Sequence, residues 1–298
     1  MPQVSIVMSV CKSTNIIHLK NALDSILNQT FQDFELIIVI DGKVKTNIKE
    51  MLDQYKKRDH RILLTCNLNN KGLAYSLNKA ISLSSAEFIA RMDDNDICFK
   101  NRLQRQLEYL QRHKNDICFT NFYFLDEDGK IISIGYSEKI ITKIEKIISK
   151  KERLLWRLLI GNFIMHPTVV FRKKKICKIG GYDEDLLSSE DYDLWIRSIM
   201  NNLSFGFIKL PLMYIRVPNQ FNYLARINKQ RTYYNWNAFI LKKLNKDLYS
   251  FIKTPIEKIC LWFLIKKVIL NSYLIQKIPD DFLRAIIFMK DSFLGYRK

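Results

Sequence analysis

Three places in the sequence put acidic side chains where they could do chemistry. Asp93, Asp94, Asn95 and Asp96 follow the apolar run "EFIARM" without a break; Asp41 follows "FELIIVI"; and Glu190 and Asp191 open "SEDYDLWIRSIM". Clustered carboxylates at strand ends offer the oxygen donors that Mg2+ or Mn2+ prefers, with room left for water and phosphate oxygens. A solvated turn is the other reading of the first cluster, because Asp and Asn are favoured turn residues. Acids at a helix start can equally complement the helix dipole or cap its end, and spacing alone leaves these alternatives open.

The elements around these residues follow from hydrophobic period. Val4 to Val10, "FELIIVID", "RILLTC" and "EFIARM" are short continuous apolar runs, read as strands. Between them Leu19, Ala22, Leu23, Ile26 and Leu27, then Ile48, Met51, Leu52 and Tyr55, then Leu73 to Ile81 mark helices. Alternation of this kind predicts parallel βαβ units with a ligand crevice beyond the carboxyl ends of the strands. Asp41 and the 93–96 run both sit immediately past a strand, so both should open onto that edge.

Further along, "NRLQRQLEYLQRH" reads as a helix, and "DICFTNFYFLD", Asp128-Gly129 and "KIISIGY" as a hairpin. A single helix with a basic opposite face is expected over about 140–160, "TVVFRK" as a strand, "SEDYDLWIRSIM" as a helix, and "FIKLPLMYIRV" as the last extended run. From about Tyr223 the pattern is helical only; Leu241 to Lys298 carries 12 Lys or Arg against 5 Asp or Glu, interleaved with aromatics. That extension is either a cationic amphipathic surface for an anionic membrane face or a helical cap on the first domain.

The chain holds 48 basic and 30 acidic residues, a formal charge of +18, which implies a polyanionic partner. No finger spacing, recognition helix or RNA-binding fingerprint accompanies the charge, so nucleic acid is not the expected partner. Cys11, Cys66, Cys98, Cys118, Cys177 and Cys260 show no paired spacing and read as reduced thiols. "PQVSIVMSV" reads as a buried strand rather than a signal peptide, and "ICLWFLIKKVIL" is interrupted by Lys266 and Lys267 before it could span a bilayer.

Taken in order, "VSIVMSV", "ALDSILNQTFQDFELIIVIDG", "NNKGLAYSLNKAI", "AEFIARMDDNDICFKNRLQRQLEYL", "GNFIMHPTVVFRK", "IGGYDEDLLSSEDYDLWIR" and "LPLMYIRV" resemble the family 2 glycosyltransferases of the GT-A fold, especially bacterial enzymes of lipopolysaccharide, capsule and exopolysaccharide synthesis. The resemblance implies an α/β fold with a mostly parallel central sheet flanked by helices over 1–222, its nucleotide-binding half about 1–100 and its acceptor half about 101–222, followed by the basic extension 223–298. It implies that Asp41 contacts the uracil or ribose of a nucleotide-sugar donor, with Val10, Cys11, Lys71, Gly72 and Arg91 framing the nucleotide. Asp93 and Asp94 fall in the diphosphate motif, and His166 and Arg216 lie around the diphosphate or acceptor pocket. Asp191 is the implied general base and Glu190 its neighbour that orients base or acceptor; a single displacement with such a base inverts the anomeric carbon.

The run "SVCK" lacks the aromatic that usually packs on the base, and "IDGK" keeps only the second of two usual acids. Aligned through "RM" and "RL", the usual metal-ligating carboxylate is Asn95; a shifted register through Asp94 and Asp96 restores two carboxylates, and both registers are open. Substitutions at such positions also fit a decayed module of the same fold that binds nucleotide sugar without turning it over. The expected enzyme is a metal-dependent hexosyltransferase using Mg or Mn, most simply with a UDP-sugar donor and a lipid-linked or oligosaccharide acceptor. It is expected to be cytoplasmic, on the inner face of the bacterial membrane.

Overall fold

The computed structural model describes residues 1–217 except positions 161 and 187. The basic extension expected over 223–298 lies outside the described residues. Strand β1 (Val4–Val10), helix α1 (Ile16–Leu27), β2 (Phe34–Asp41), α2 (Thr46–Arg58), β3 (Ile62–Asn67), α3 (Leu73–Leu83) and β4 (Phe88–Arg91) follow the alternation read from the sequence. Asn15 starts α1 as its N-cap, its side-chain oxygen accepting from the Ile17 and His18 amides at 2.9 and 3.3 Å. Leu19, Ala22, Leu23 and Ile26 then face the core. Strands β1 and β2 are almost wholly buried, as expected of parallel strands covered by helices on both faces.

Register fixes what shares an edge. Val10 pairs with Ile40, Asp41 with Asn67, and Val7 with Arg91, all in parallel ladders. The carboxyl ends of β1, β2, β3 and β4 therefore lie together, and the acidic residues that follow β2 and β4 open onto one crevice.

The second half changes direction. After β5 (Ile97–Cys98) and α4 (Arg102–His113) come the hairpin β6 (Ile117–Leu125) and β7 (Ile131–Ile134), then α5 (Glu138–Ile148) and α6 (Lys151–Ile160). A single-turn 3-10 segment, His166–Thr168, leads into β8 (Val170–Arg172), α7 (Lys173–Lys178), α8 (Glu190–Met200) and β9 (Phe205–Arg216). The nine-stranded sheet runs β3-β2-β1-β4-β8-β6-β9-β5, with β7 beside β6. It is parallel from β3 to β4 and mixed beyond: β8 is antiparallel to β4 and β6, β6 is parallel to β9, and β5 is antiparallel to β9.

Two sequence expectations change here. The one helix read over about 140–160 is two, interrupted at Ser149 and Lys150, so α5 and α6 each present their own apolar face. "TVVFRK" contributes only three strand residues before α7 begins. Among the described residues, no helix is long and apolar enough to cross a membrane.

The mixed half does the positioning. Because β8 runs antiparallel to β4, with Ala90 opposite Val170, the segment entering β8 arrives at the carboxyl end of β4. The Arg91 amide donates to the Val169 carbonyl at 3.0 Å, which places His166–Thr168 beside the acidic run. Strand β5 pairs Ile97 with Tyr214, bringing the end of β9 to the same place from the other side.

Candidate active site

At the end of β2 the buried Asp41 carboxylate accepts three hydrogen bonds. Asn67 Nδ2 and the Lys71 amide reach Oδ1 at 2.9 and 2.8 Å, and the Gly72 amide reaches Oδ2 at 2.9 Å. The acid thus holds the loop that leads into α3, whose N-terminus turns through Gly72 at φ +91°. Gly42, at φ +79°, lies so close to this loop that a Cβ there would stand 2.6 Å from the Asn70 amide nitrogen. Lys71 itself is exposed beside the crevice. Val10 is fully buried at the end of β1, while Cys11 is half-buried, its amide donating to Thr14 Oγ1 at 3.0 Å.

The acidic run is divided in its partners. Asp93 pairs with Arg91, a guanidinium almost wholly removed from water. Asp94 accepts from the Thr14 hydroxyl. Asp96 is buried, one oxygen accepting from the Arg216 amide at 2.8 Å while the other, Oδ2, has no partner. Burial lifts the Asp94 carboxyl above its usual range, with the Asp93 charge adding to it against the Thr14 hydrogen bond. Asp96 is pushed well above the carboxylate range, by burial first and then by the Asp93 charge. Crowded, dehydrated acids with an orphan oxygen are an environment that a cation relieves. No three His, Cys, Asp or Glu side chains among the described residues converge into a protein-only metal cage.

Arg216 does not extend into the crevice. Its Nη1 donates to the carbonyls of Asp126 and Glu127 at 2.7 and 2.9 Å, and its Nε to the Asn95 carbonyl at 3.3 Å. The side chain clamps the acidic turn to the β6–β7 hairpin, its charge satisfied by carbonyl dipoles.

Across the edge, α8 begins with Glu190 and Asp191, both buried. It is preceded by Ser189 at φ +62°, a left-handed conformation unusual for a residue with a side chain. Asp191 Oδ1 accepts from the Tyr192 amide at 2.7 Å and Oδ2 from Asn162 Nδ2 at 2.8 Å. Burial, and next the charge of Glu190, raise the Asp191 carboxyl to about 7, against the opposing pull of its two hydrogen bonds and Arg91. Burial likewise raises Glu190.

His166 bonds through Nε2 to the Tyr182 hydroxyl at 2.7 Å. Burial and then the Arg91 charge hold the imidazole well below its usual range, so it is neutral near pH 7. Its Nδ1 is 3.7 Å from Glu190 Oε1, a contact of a neutral ring with an acid and not an ion pair.

Arg91 is the common neighbour. Its charge acts on Asp93, Asp94, Asp96, His166, Tyr182, Glu190 and Asp191, so the strand-end acids and the start of α8 form one electrostatic cluster. Residue type singled out most of its members; Asn162, Tyr182 and Thr14 were missed. Each is uncharged and sits in a loop, and the only signal was membership of a quoted block for Asn162 and Tyr182.

The profile described as Glycosyl transferase family 2 matches residues 5–180. An O-antigen biosynthesis glycosyltransferase of Escherichia coli is 30% identical over 267 residues, covering 85% of this chain and 97% of the relative. The UDP-Gal:alpha-D-GlcNAc-diphosphoundecaprenol beta-1,3-galactosyltransferase of Escherichia coli is 28% identical over 219 residues, 72% of this chain and 74% of the relative. Among solved structures, a mannosyltransferase from Pyrobaculum calidifontis in complex with GDP-Man and Mn2+ superposes with a TM-score of 0.62 at 12% identity, covering 100% of this chain and 76% of that one. The α/β sheet, curled and flanked by helices, is that of the GT-A glycosyltransferases. With a family profile over more than half its length and a relative matched almost end to end, the chain belongs to glycosyl transferase family 2.

Proposed function

We propose that the chain is an inverting transferase that moves a hexose or N-acetylhexosamine from a UDP-sugar to a lipid-linked saccharide during bacterial surface-glycan synthesis. One observation carries the reading: Asp191 is a buried carboxylate, oriented by one donor on each oxygen and raised to about 7, within the field of the same Arg91 that pairs with the 93–96 run. A base with that affinity for protons is matched to neutral pH. Asp191 takes the proton of the acceptor hydroxyl as that oxygen bonds to the anomeric carbon. The bond from that carbon to the donor diphosphate breaks in the same step, and its electron pair leaves on the nucleoside diphosphate. Attack from the face opposite the leaving group inverts the carbon.

Asp41, with the Lys71-Gly72 loop it tethers, supports a nucleotide at the strand edge. Asp94, Asn95 and Asp96 are the residues that would hold Mg2+ or Mn2+, which supplies a Lewis acid for the departing diphosphate. Glu190 and the neutral His166 line the acceptor side, and Arg91 balances the acids of both halves. The donor and acceptor named for the Escherichia coli galactosyltransferase support UDP and a diphosphoundecaprenol-linked saccharide as the classes to try. The cytoplasmic face of the membrane is where a lipid-linked acceptor and a nucleotide sugar meet.

A screen of UDP-glucose, UDP-galactose, UDP-N-acetylglucosamine and GDP-mannose, with and without Mn2+, tests the reading. Thermal stabilisation and nucleotide release are expected with one UDP-sugar. Stabilisation by GDP-mannose alone overturns the UDP assignment, and indifference to all four overturns the donor class.

A further inference from the structure

The structure assigns to Asn162 the task of positioning the base: its side-chain amide fixes the Asp191 carboxylate and keeps it available to take a proton. This rests on the reading of Asp191 as the base. The geometry is one of enforced orientation. Asn162 Oδ1 accepts from the Ile164 amide at 3.1 Å, so the amide cannot turn over, and its Nδ2 is left to donate to Asp191 Oδ2 at 2.8 Å. The other carboxylate oxygen is held by the Tyr192 amide at 2.7 Å, from within α8. One donor therefore comes from the helix that carries Asp191 and the second from the segment entering β8. The carboxylate is fixed only when those two segments are correctly docked.

The surroundings show why a neutral donor is needed at this place. Among the described residues, the charged and titratable groups that act on Asp191 are Glu190 on its own helix, Arg91 on β4 and Tyr182 in the loop before α8. Glu190 opposes ionisation of Asp191, Arg91 favours it, and the Tyr182 hydroxyl is engaged by His166. Asn162 adds a hydrogen bond to the charged form of Asp191 without adding a charge that would compete with the acidic run for a cation. A Lys or Arg here would pair with Asp191 and remove it as a base; an apolar residue would leave it burdened by burial and by Glu190.

Replacing Asn162 should therefore change the proton affinity of Asp191, an effect that support of loop shape alone would not produce. The full chain is labelled at the aspartate carboxyl carbons with 13C, and the Asp191 resonance, assigned by its loss in D191N, is followed against pH. In N162A its midpoint should rise by about one unit or more, because a hydrogen bond to an ionised group is lost. N162D keeps an acceptor for the Ile164 amide and opposes Asp191 with a like charge, so its midpoint should rise further. N162S, whose hydroxyl still donates, should recover part of the shift. If N162A does not fold, the shape-preserving N162D is read in its place. A midpoint unchanged in a folded N162A or N162D overturns the assignment to Asn162, whatever the reaction is. Retained nucleotide release in D191N overturns the base itself and leaves a shifted midpoint standing, so the two failures are distinguishable.

Discussion

A carboxyl group raised to about 7 carries a cost that can be measured without any substrate. Asp191 titrates near 7 in the folded chain and near the ordinary 3.8 when unfolded, so the folded state holds its proton more tightly. The sign follows for this one group: the contribution of Asp191 to stability is fully present below about pH 4, falls as pH rises between the two values, and is gone above about 7. At about 1.4 kcal/mol per unit, the loss is on the order of a few kcal/mol. D191N, which cannot ionise, should raise Tm over wild type at pH 8 and not at pH 4, while transfer falls by about three orders of magnitude or more, the scale seen when an essential proton acceptor is removed. A Tm gain that is the same at both pH values would refute the buried ionised acid. Asn95 gives a second residue-scale expectation: N95D adds a carboxylate where an amide stands, so the Mn2+ concentration needed for half-maximal stabilisation in the presence of UDP should fall about tenfold or more. What could be read here from sequence alone was charge. Asp41, the 93–96 run, Glu190, Asp191 and His166 declared themselves by type, while Asn162 and Tyr182 act through neutral hydrogen bonds that depend on how loops meet.

At the scale of elements, the parallel strands were legible because a strand buried on both faces is a continuous apolar run, and their carboxyl-end crevice followed from topology. Strand β5 was not, since Ile97 and Cys98 are strand only by virtue of pairing with β9. The break between α5 and α6 was equally hidden, because isoleucine and leucine recur at helical spacing straight through it. The loop after β2 offers the sharpest test of how an element sets the site. Ala at Gly42 meets both a positive φ and the Asn70 backbone at 2.6 Å, whereas Ala at Gly72 meets a positive φ and open space. Gly72, at φ +91° and ψ +166°, occupies an extended positive-φ region essentially reserved for glycine, where a side chain costs about 1–3 kcal/mol. G72A should lose about that much by denaturant unfolding, and G42A more. G42A should also weaken UDP binding, because the displaced loop is the one that Asp41 tethers. Equal losses in the two variants would show that the contact with Asn70 is relieved at no cost.

For the whole molecule the governing quantity is the formal charge of +18. The sequence made that plain, but the mixed order of the second half of the sheet was beyond it, since β8 and β6 are set side by side only by long-range pairing. For the lipid-linked acceptor proposed above, a charge of this size offers attraction to an anionic membrane surface as the means of meeting it. A basic residue near an anionic leaflet contributes about 1 kcal/mol at physiological salt. The attraction decays over about 10 Å at 0.1 M salt and about 3 Å at 1 M. The full chain should therefore sediment with vesicles containing phosphatidylglycerol at 0.1 M NaCl, be released at 1 M, and stay in solution with pure phosphatidylcholine at either salt. Strong binding to neutral vesicles that resists 1 M salt would mean that apolar insertion, and not charge, holds the protein at the surface. Absence of binding to the anionic vesicles would overturn the reading of the basic excess as a membrane-surface attraction.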